Sequence, residues 1–279
     1  MVRRIIIDCD PGQDDAVALL LAFASPDELE VVGVTTVGGN VPLEQTQRNA
    51  RMICDIASSG VPVYGGCERP MARPLRTAEY IHGKTGIDGL QVFEPKTPLQ
   101  EQHAVEFIVE TLMASGEKSI TLVPTGPLTN IATAIATEPA ILPKIEQIVL
   151  MGGAMREGGN RTPSAEFNIL VDPEAADIVF RCGRPITQMG LDVTHQVLST
   201  QDRVERIRAL DNPVATAVAG MLGFFERFDM EKYASKGAPL HDPCTVAYLL
   251  RPELFEGKVC NVAVETRSEL TLGHTAVDF

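Results

Sequence analysis

The sequence predicts an α/β fold: a single domain on an open, mostly parallel sheet flanked by helices, a Rossmann-like core with its active site at the carboxyl ends of the strands. Three observations lead there. Short β-branched runs alternate with helix-like stretches along the chain. The runs are largely apolar without strict alternation, as strands covered on both faces are. The densest group of acids falls where the first strand gives way to the first helix, and open α/β sheets bind ligands at such ends.

Residues 4–7 (RIII) make the first strand and 14–24 the first helix, whose opening Asp14 and Asp15 suit the positive end of a helix dipole. Residues 31–37 (VVGVTTV) are the second strand and 43–57 the second helix. A Gly- and Pro-rich stretch, 65–98, separates them from a helix at 104–114 and a third strand at 119–123. Helix 128–137 starts after Gly126-Pro127, with Thr129-Asn130 marking its beginning. The fourth strand, 147–151, runs into a long polar, Gly-rich loop, 152–168. Helix 173–181 opens on Asp172-Pro173-Glu174, an N-cap with Pro at the first helical position. A fifth strand at 185–189 and a helix at 213–228 follow. No repeat, low-complexity tract or linker divides the chain, so residues 1–279 read as one domain with elaborated loops.

Composition excludes several classes. The 24 Lys and Arg against 37 Asp and Glu leave a net charge of −13, which opposes nucleic-acid partners and anionic membranes. The six cysteines form no C-x-x-C pair, so they read as reduced cytoplasmic thiols rather than a disulfide framework or zinc ribbon. The N-terminus lacks the apolar run of a signal peptide. The longest apolar run, 16–24, is about half the roughly 20 residues of a membrane span.

Asp8, Asp10, Asp14 and Asp15 crowd one corner. Helix capping accounts for Asp14 and Asp15 but not for the other two. Like charges this close require raised pKa values or a cation. An oxygen-only set suits Ca²⁺ or Mg²⁺ better than zinc. An EF-hand loop is excluded, because counting from Asp8 its twelfth position is Leu19 instead of a carboxylate. A phosphotransferase with Asp8 as nucleophile stays open, since its D-x-D also follows a first strand, although Gly12 and the Asp14-Asp15 pair depart from that pattern.

DCDPGQDDA at 8–16, read with Gly38-Gly39-Asn40, the TGPLTN of 125–130, Glu166-Phe167-Asn168 and His241-Asp242-Pro243, resembles the nucleoside hydrolases, in order and spacing along almost the whole chain. The pyrimidine-preferring bacterial members look most similar, through Ile81-His82-Gly83 and residues 163–168 and 239–242. The resemblance implies cleavage of the N-glycosidic bond of ribonucleosides, uridine and cytidine first, to free base and ribose. It implies one Ca²⁺ held by Asp10, Asp15, Asp242 and the backbone carbonyl of Thr125, with Asp10 also taking a proton from water. Asp14, Asn40, Asn160, Glu166 and Asn168 would grip the ribose, a mix of carboxylate and amide that suits hydroxyls. His241 and His82 would assist the leaving base, and Tyr233 would face it. Purine-specific members stack the base on Trp, and this chain has none. A nucleoside as the small-molecule partner and a homo-oligomer, dimer or tetramer, are further implications.

Three departures bear on that picture. Gln13 stands where relatives often have His or Ile, and Arg161 where some have a base-facing Phe. Family members run further, to a final strand and helix, so a C-terminal segment is expected to be lacking here. A non-catalytic nucleoside-binding paralogue is the remaining alternative. His103, His195 and His274 have no motif around them and read as structural or surface residues.

Overall fold

Three consecutive isoleucines set the centre of the molecule. Ile5, Ile6 and Ile7 lie in the first strand, β1 (Arg3–Cys9), and all are fully buried. Successive strand side chains point to opposite faces. Ile5 and Ile7 therefore join the core on one side of the sheet, and Ile6 joins the core on the other. The computed structural model describes the backbone of residues 2–233 and 236–278 and the side chains of residues 2–225 and 236–278.

β1 is the middle strand of seven. The others are β2 (Leu29–Thr36), β3 (Val63–Gly65), β4 (Leu99–Gln100), β5 (Ile120–Pro124), β6 (Ile145–Met151) and β7 (Ile186–Met189). All pair in parallel, in the order β4-β3-β2-β1-β5-β6-β7. The predicted sheet is correct in kind, but it has two strands more than the five legible ones. β3 and β4 are three and two residues long, beside the Gly- and Pro-rich stretch, too short to show a hydrophobic run.

The helices are α1 (Gln13–Phe23), α2 (Leu43–Ala57), α3 (Glu79–His82), α4 (Ala104–Met113), α5 (Thr129–Thr137), α6 (Phe167–Val171), α7 (Pro173–Phe180), α8 (Leu191–Thr194), α9 (Gln201–Arg208), α10 (Pro213–Tyr233) and α11 (Pro243–Leu250). Leu19, Ile53, Met221 and Val246 bring α1, α2, α10 and α11 against Ile5 and Ile7. Ile108, Ile131 and Val179 bring α4, α5 and α7 against Ile6. Asp172 caps α7 as expected, accepting from the Ala175 amide. No helix among the described residues is long and apolar enough to cross a membrane.

Strand order reverses at β1. The chain moves outward through β2, β3 and β4, then returns to place β5 on β1's other side. The crevice at the carboxyl ends of β1 and β5 is thus a topological switch point, where ligands of such sheets bind. Two antiparallel ribbons sit around it. β8 (Leu198–Thr200) pairs with β9 (Gly237–Pro239) and delivers His241 and Asp242. β10 (Asn261–Val264) pairs with β11 (Thr275–Asp278), and the Thr275 hydroxyl donates to the Ala154 carbonyl at 2.7 Å, tying down the loop after β6.

Candidate active site

Four carboxylates converge where β1 hands over to α1. Asp8, Asp10 and Asp15 are fully buried and Asp14 nearly so, while Cys9, on the opposite face, joins the core. Asp15 accepts from the Gly12 amide at 2.9 Å and from the Thr125 hydroxyl at 2.7 Å. Asp10 accepts from the Asn40 amide at 2.7 Å through Oδ2. Asp10 Oδ1 and Asp14 Oδ1 are buried with no hydrogen-bond partner. Asp242, at the start of α11, adds a fifth carboxylate, and one oxygen each of Asp14, Asp15 and Asp242 lies within 4.8 Å of the others. Among the described residues, none of these acids pairs with Lys or Arg.

That arrangement resists ionisation. Burial first, and then the charge of Asp15, pushes Asp14 up to about 7. Asp10 and Asp242 rise well above the usual carboxylate range through burial and the negative charge of their neighbours. Burial raises Asp15 as well, against the pull of its hydrogen bonds. Orphaned carboxylate oxygens with no protein cation fit a hard divalent ion, whose preferred ligands are oxygens. The tight group of three contains Asp14, whereas Asp10 stands outside it. One Asp10 oxygen is committed to Asn40, and the other lies against Gly126.

Glycines make that approach possible. A Cβ at Gly126 would collide with Asp10 Oδ1, and one at Gly39 with Oδ2. Gly126→Ala is therefore expected to displace the Asp10 carboxylate and to destabilise the fold by about 1–3 kcal/mol, as overpacking does. Urea unfolding of the variant checks it; an unchanged midpoint would show that the loop yields freely.

The amides and Glu166 line a cavity of about 510 Å³ together with Asp14, Thr125 and Asp242. Each also has a local task. Asn40 Nδ2 donates to the Asp10 carbonyl at 3.1 Å. Asn168 Nδ2 donates to the Thr125 carbonyl at 2.7 Å. Glu166 caps α6, accepting from the amides of Asn168, Gly153 and Ile169. Burial still raises its pKa against those three donors. Asn160 is exposed on the cavity rim, and its Oδ1 accepts from the Phe167 amide at 2.9 Å. Capping and cavity lining are thus combined in the same side chains.

Both expected histidines line the cavity. His82 ends the one-turn α3, and only 7% of it is exposed. Its Nδ1 is 2.7 Å from Gln13 Oε1, and its ring stacks on Phe225. His241 Nδ1 is 2.8 Å from the Thr194 hydroxyl. Burial pushes both imidazoles down to about 3, so both are neutral near pH 7.

Several placements correct the sequence reading. His195, read as a structural or surface residue, lines the cavity: its ring meets His241 edge-on at 5.9 Å, and its Nδ1 is 2.9 Å from Glu157. Glu157, Tyr80 and Phe225 also line the cavity and carried no motif. The Gly-rich character of loop 152–168 was the only signal for Glu157. Arg161 does not line the cavity; its guanidinium lies 5.2 Å over the Tyr80 ring. Asp8 is sealed beneath the site, accepting from the Thr35 hydroxyl at 2.6 Å and from Asn130 at 2.8 Å. Fully buried and off the cavity wall, with one oxygen committed to Thr35 and Asn130, it is poorly placed for a phosphotransferase nucleophile. The side chain of Tyr233 lies outside the described residues.

Residues 5–279 match the inosine-uridine preferring nucleoside hydrolase family. The chain is 53% identical to the pyrimidine-specific ribonucleoside hydrolase RihA of Shewanella baltica, over 100% of its own length and 87% of that protein's. It is 51% identical to RihA of Photobacterium profundum, covering 100% and 89%. Among solved structures, a plant nucleoside hydrolase superposes with a TM-score of 0.95 at 32% identity, covering 100% of this chain and 87% of that one. A purine-preferring ribonucleoside hydrolase from Gardnerella vaginalis gives 0.93 at 36% identity, covering 99% and 88%. The switch-point crevice and its buried acids thus stand on a fold and a sequence that agree throughout: the chain belongs to the inosine-uridine preferring nucleoside hydrolase family and is an N-glycosyl hydrolase.

Proposed function

We propose that this enzyme hydrolyses the N-glycosidic bond of pyrimidine ribonucleosides, uridine and cytidine, with Ca²⁺ as its resident ion. The observation that carries this reading is the buried, uncompensated acid group, which meets through Asp14 and Asp242 a cavity lined by amides and histidines. The pyrimidine preference is supported by the name of the 53% identical relatives and by the absence of Trp from the sequence. Asp10, Asp15, Asp242 and the Thr125 carbonyl would hold the ion, and Asp14, which lies in the tight group with Asp15 and Asp242, would join them. When bound, it would neutralise the carboxylates and make water more acidic.

The chain's own groups do the rest. Asp10, fully buried behind Asn40 rather than on the cavity wall, would take the proton of the attacking water through Oδ1, its unpartnered oxygen. Asp14, Asn40, Asn160, Glu166 and Asn168 would hold the ribose hydroxyls, and the carboxylates of Asp14 and Glu166 would stabilise the positive charge that grows on the sugar as the C1′–N bond breaks. His241, held at Nδ1 by Thr194, leaves Nε2 for the departing base. The six free thiols support a reducing, cytoplasmic compartment.

Incubation with uridine, cytidine, inosine and adenosine, with Ca²⁺ or a chelator, tests the reading by measuring free base and ribose. Products from the pyrimidine nucleosides, lost on chelation, are expected. A folded, calcium-loaded protein that cleaves none of them would overturn it.

A further inference from the structure

Gln13 is fully buried in the first turn of α1, and its side chain has a definite orientation. Nε2 donates to the carbonyls of His82 at 3.0 Å and Asp88 at 3.1 Å. Those two acceptors fix which end of the amide is nitrogen, so Oε1 is the atom facing His82 Nδ1 at 2.7 Å. An amide oxygen only accepts. The proton of that contact therefore belongs to His82 Nδ1. A neutral imidazole carries one N–H, and Nε2 is left with a lone pair.

Other constraints hold the ring there. Phe225 stacks on one face of it at 5.5 Å, and Gly12 packs so closely that a Cβ at that position would collide with Nδ1. His82 lines the same cavity as Asp14, Asn40 and Asp242. Burial also disfavours the second proton that would turn Nε2 into a donor.

We propose that Gln13 is a positioning residue that locks His82 in its Nδ1–H form, making Nε2 a hydrogen-bond acceptor for an O–H or N–H group of the bound nucleoside. The lock follows from the protein alone, while the identity of the ligand rests on the function proposed above. His82 then reads a donor on the substrate, in place of the donor role toward the leaving base expected from the sequence. His241 is left as the group that serves the leaving base. Nucleosides lacking the donor opposite Nε2 would face an unpaired lone pair in a buried wall, which weakens their binding.

Nitrogen-15 NMR of the histidine rings tests the lock in the ligand-free protein, with His82→Asn identifying the His82 signals. A protonated Nδ1 and a bare Nε2 are expected in the parent chain. In Gln13→Met this preference should disappear, and uridine should bind on the order of 3- to 10-fold more weakly, the loss of about one hydrogen bond. Gln13→Glu, which keeps an acceptor at the same place, should retain the Nδ1–H form, and it reads the same point if the Met variant does not fold. A proton on Nε2 in the parent chain, or an unchanged Nδ1–H form in Gln13→Met, would overturn the proposal. A parent chain with the expected tautomer that binds no nucleoside would support the lock and count against the substrate reading instead.

Discussion

Asp10→Asn is expected to lower the release of uracil from uridine by roughly 10²–10⁴-fold, the range over which a positioned proton acceptor acts, while leaving the metal-free protein at least as stable as its parent. The two halves have one cause. Asp10 is fully buried, its Oδ1 lacks a partner, and its pKa is raised well above the usual range by burial and by Asp15. The fold therefore favours a neutral group there, and Asn supplies one of the same shape. The Asn oxygen can keep the bond from the Asn40 amide that Oδ2 now accepts at 2.7 Å. What Asn cannot do is accept a proton from water or bring a charge to a cation. Steady-state kinetics and urea unfolding of the purified variant check the two halves separately. Activity within about tenfold of the parent would remove Asp10 from the proposed chemistry.

The metal-free protein should lose stability as pH rises and regain it when Ca²⁺ is added. The sign follows from the raised carboxyls. Asp8 and Asp14 are pushed to about 7, and Asp10, Asp15, Asp242 and Glu166 are also raised. The folded state thus binds more protons than the unfolded one above pH ~4, and stability falls as pH climbs from there through 7. His82 and His241, lowered to about 3, act in the opposite direction, but only up to the unfolded imidazole value near pH ~6.5. Between roughly pH 6.5 and 8 the acids act unopposed. Asp14 alone, moved from 3.8 to about 7, corresponds to a penalty on the order of a few kcal/mol once it ionises. Thermal unfolding in chelator and in Ca²⁺, at pH 5, 6.5 and 8, measures it. Ca²⁺ should raise the midpoint most at pH 8. A metal-free midpoint that climbs with pH would contradict the buried-acid account.

The central strand and its acid-bearing end were legible because both are local patterns. Apolar Ile5-Ile6-Ile7 followed by Asp8, Asp10, Asp14 and Asp15 is contiguous in the chain. Asn40, Glu166, Asn168 and Asp242 were found through short motifs at other strand ends. Glu157, His195, Tyr80 and Phe225 were not, since each reaches the cavity from a separate loop or helix with no pattern around it. The burial of His82 was equally hidden. It depends on Gln13 and Phe225, distant in sequence, which close over a four-residue helix that no periodicity could announce. Asp8 shows the reverse problem: its sequence context is that of a reactive acid, and only the side chains of Thr35 and Asn130 reveal that it is sealed in.

The span of chain that the site draws on bears on biosynthesis. Asp10 comes from the turn after β1, Asp15 from α1, Thr125 from just past β5, and Asp242 from the start of α11. A nascent chain emerging N-terminus first displays its acidic corner long before Asp242 leaves the ribosome. Until then, the proposed ion has only part of its coordination shell to bind. Calcium uptake would accordingly wait for α11 to emerge, and a product stalled before it should reveal itself by failing to respond to the ion.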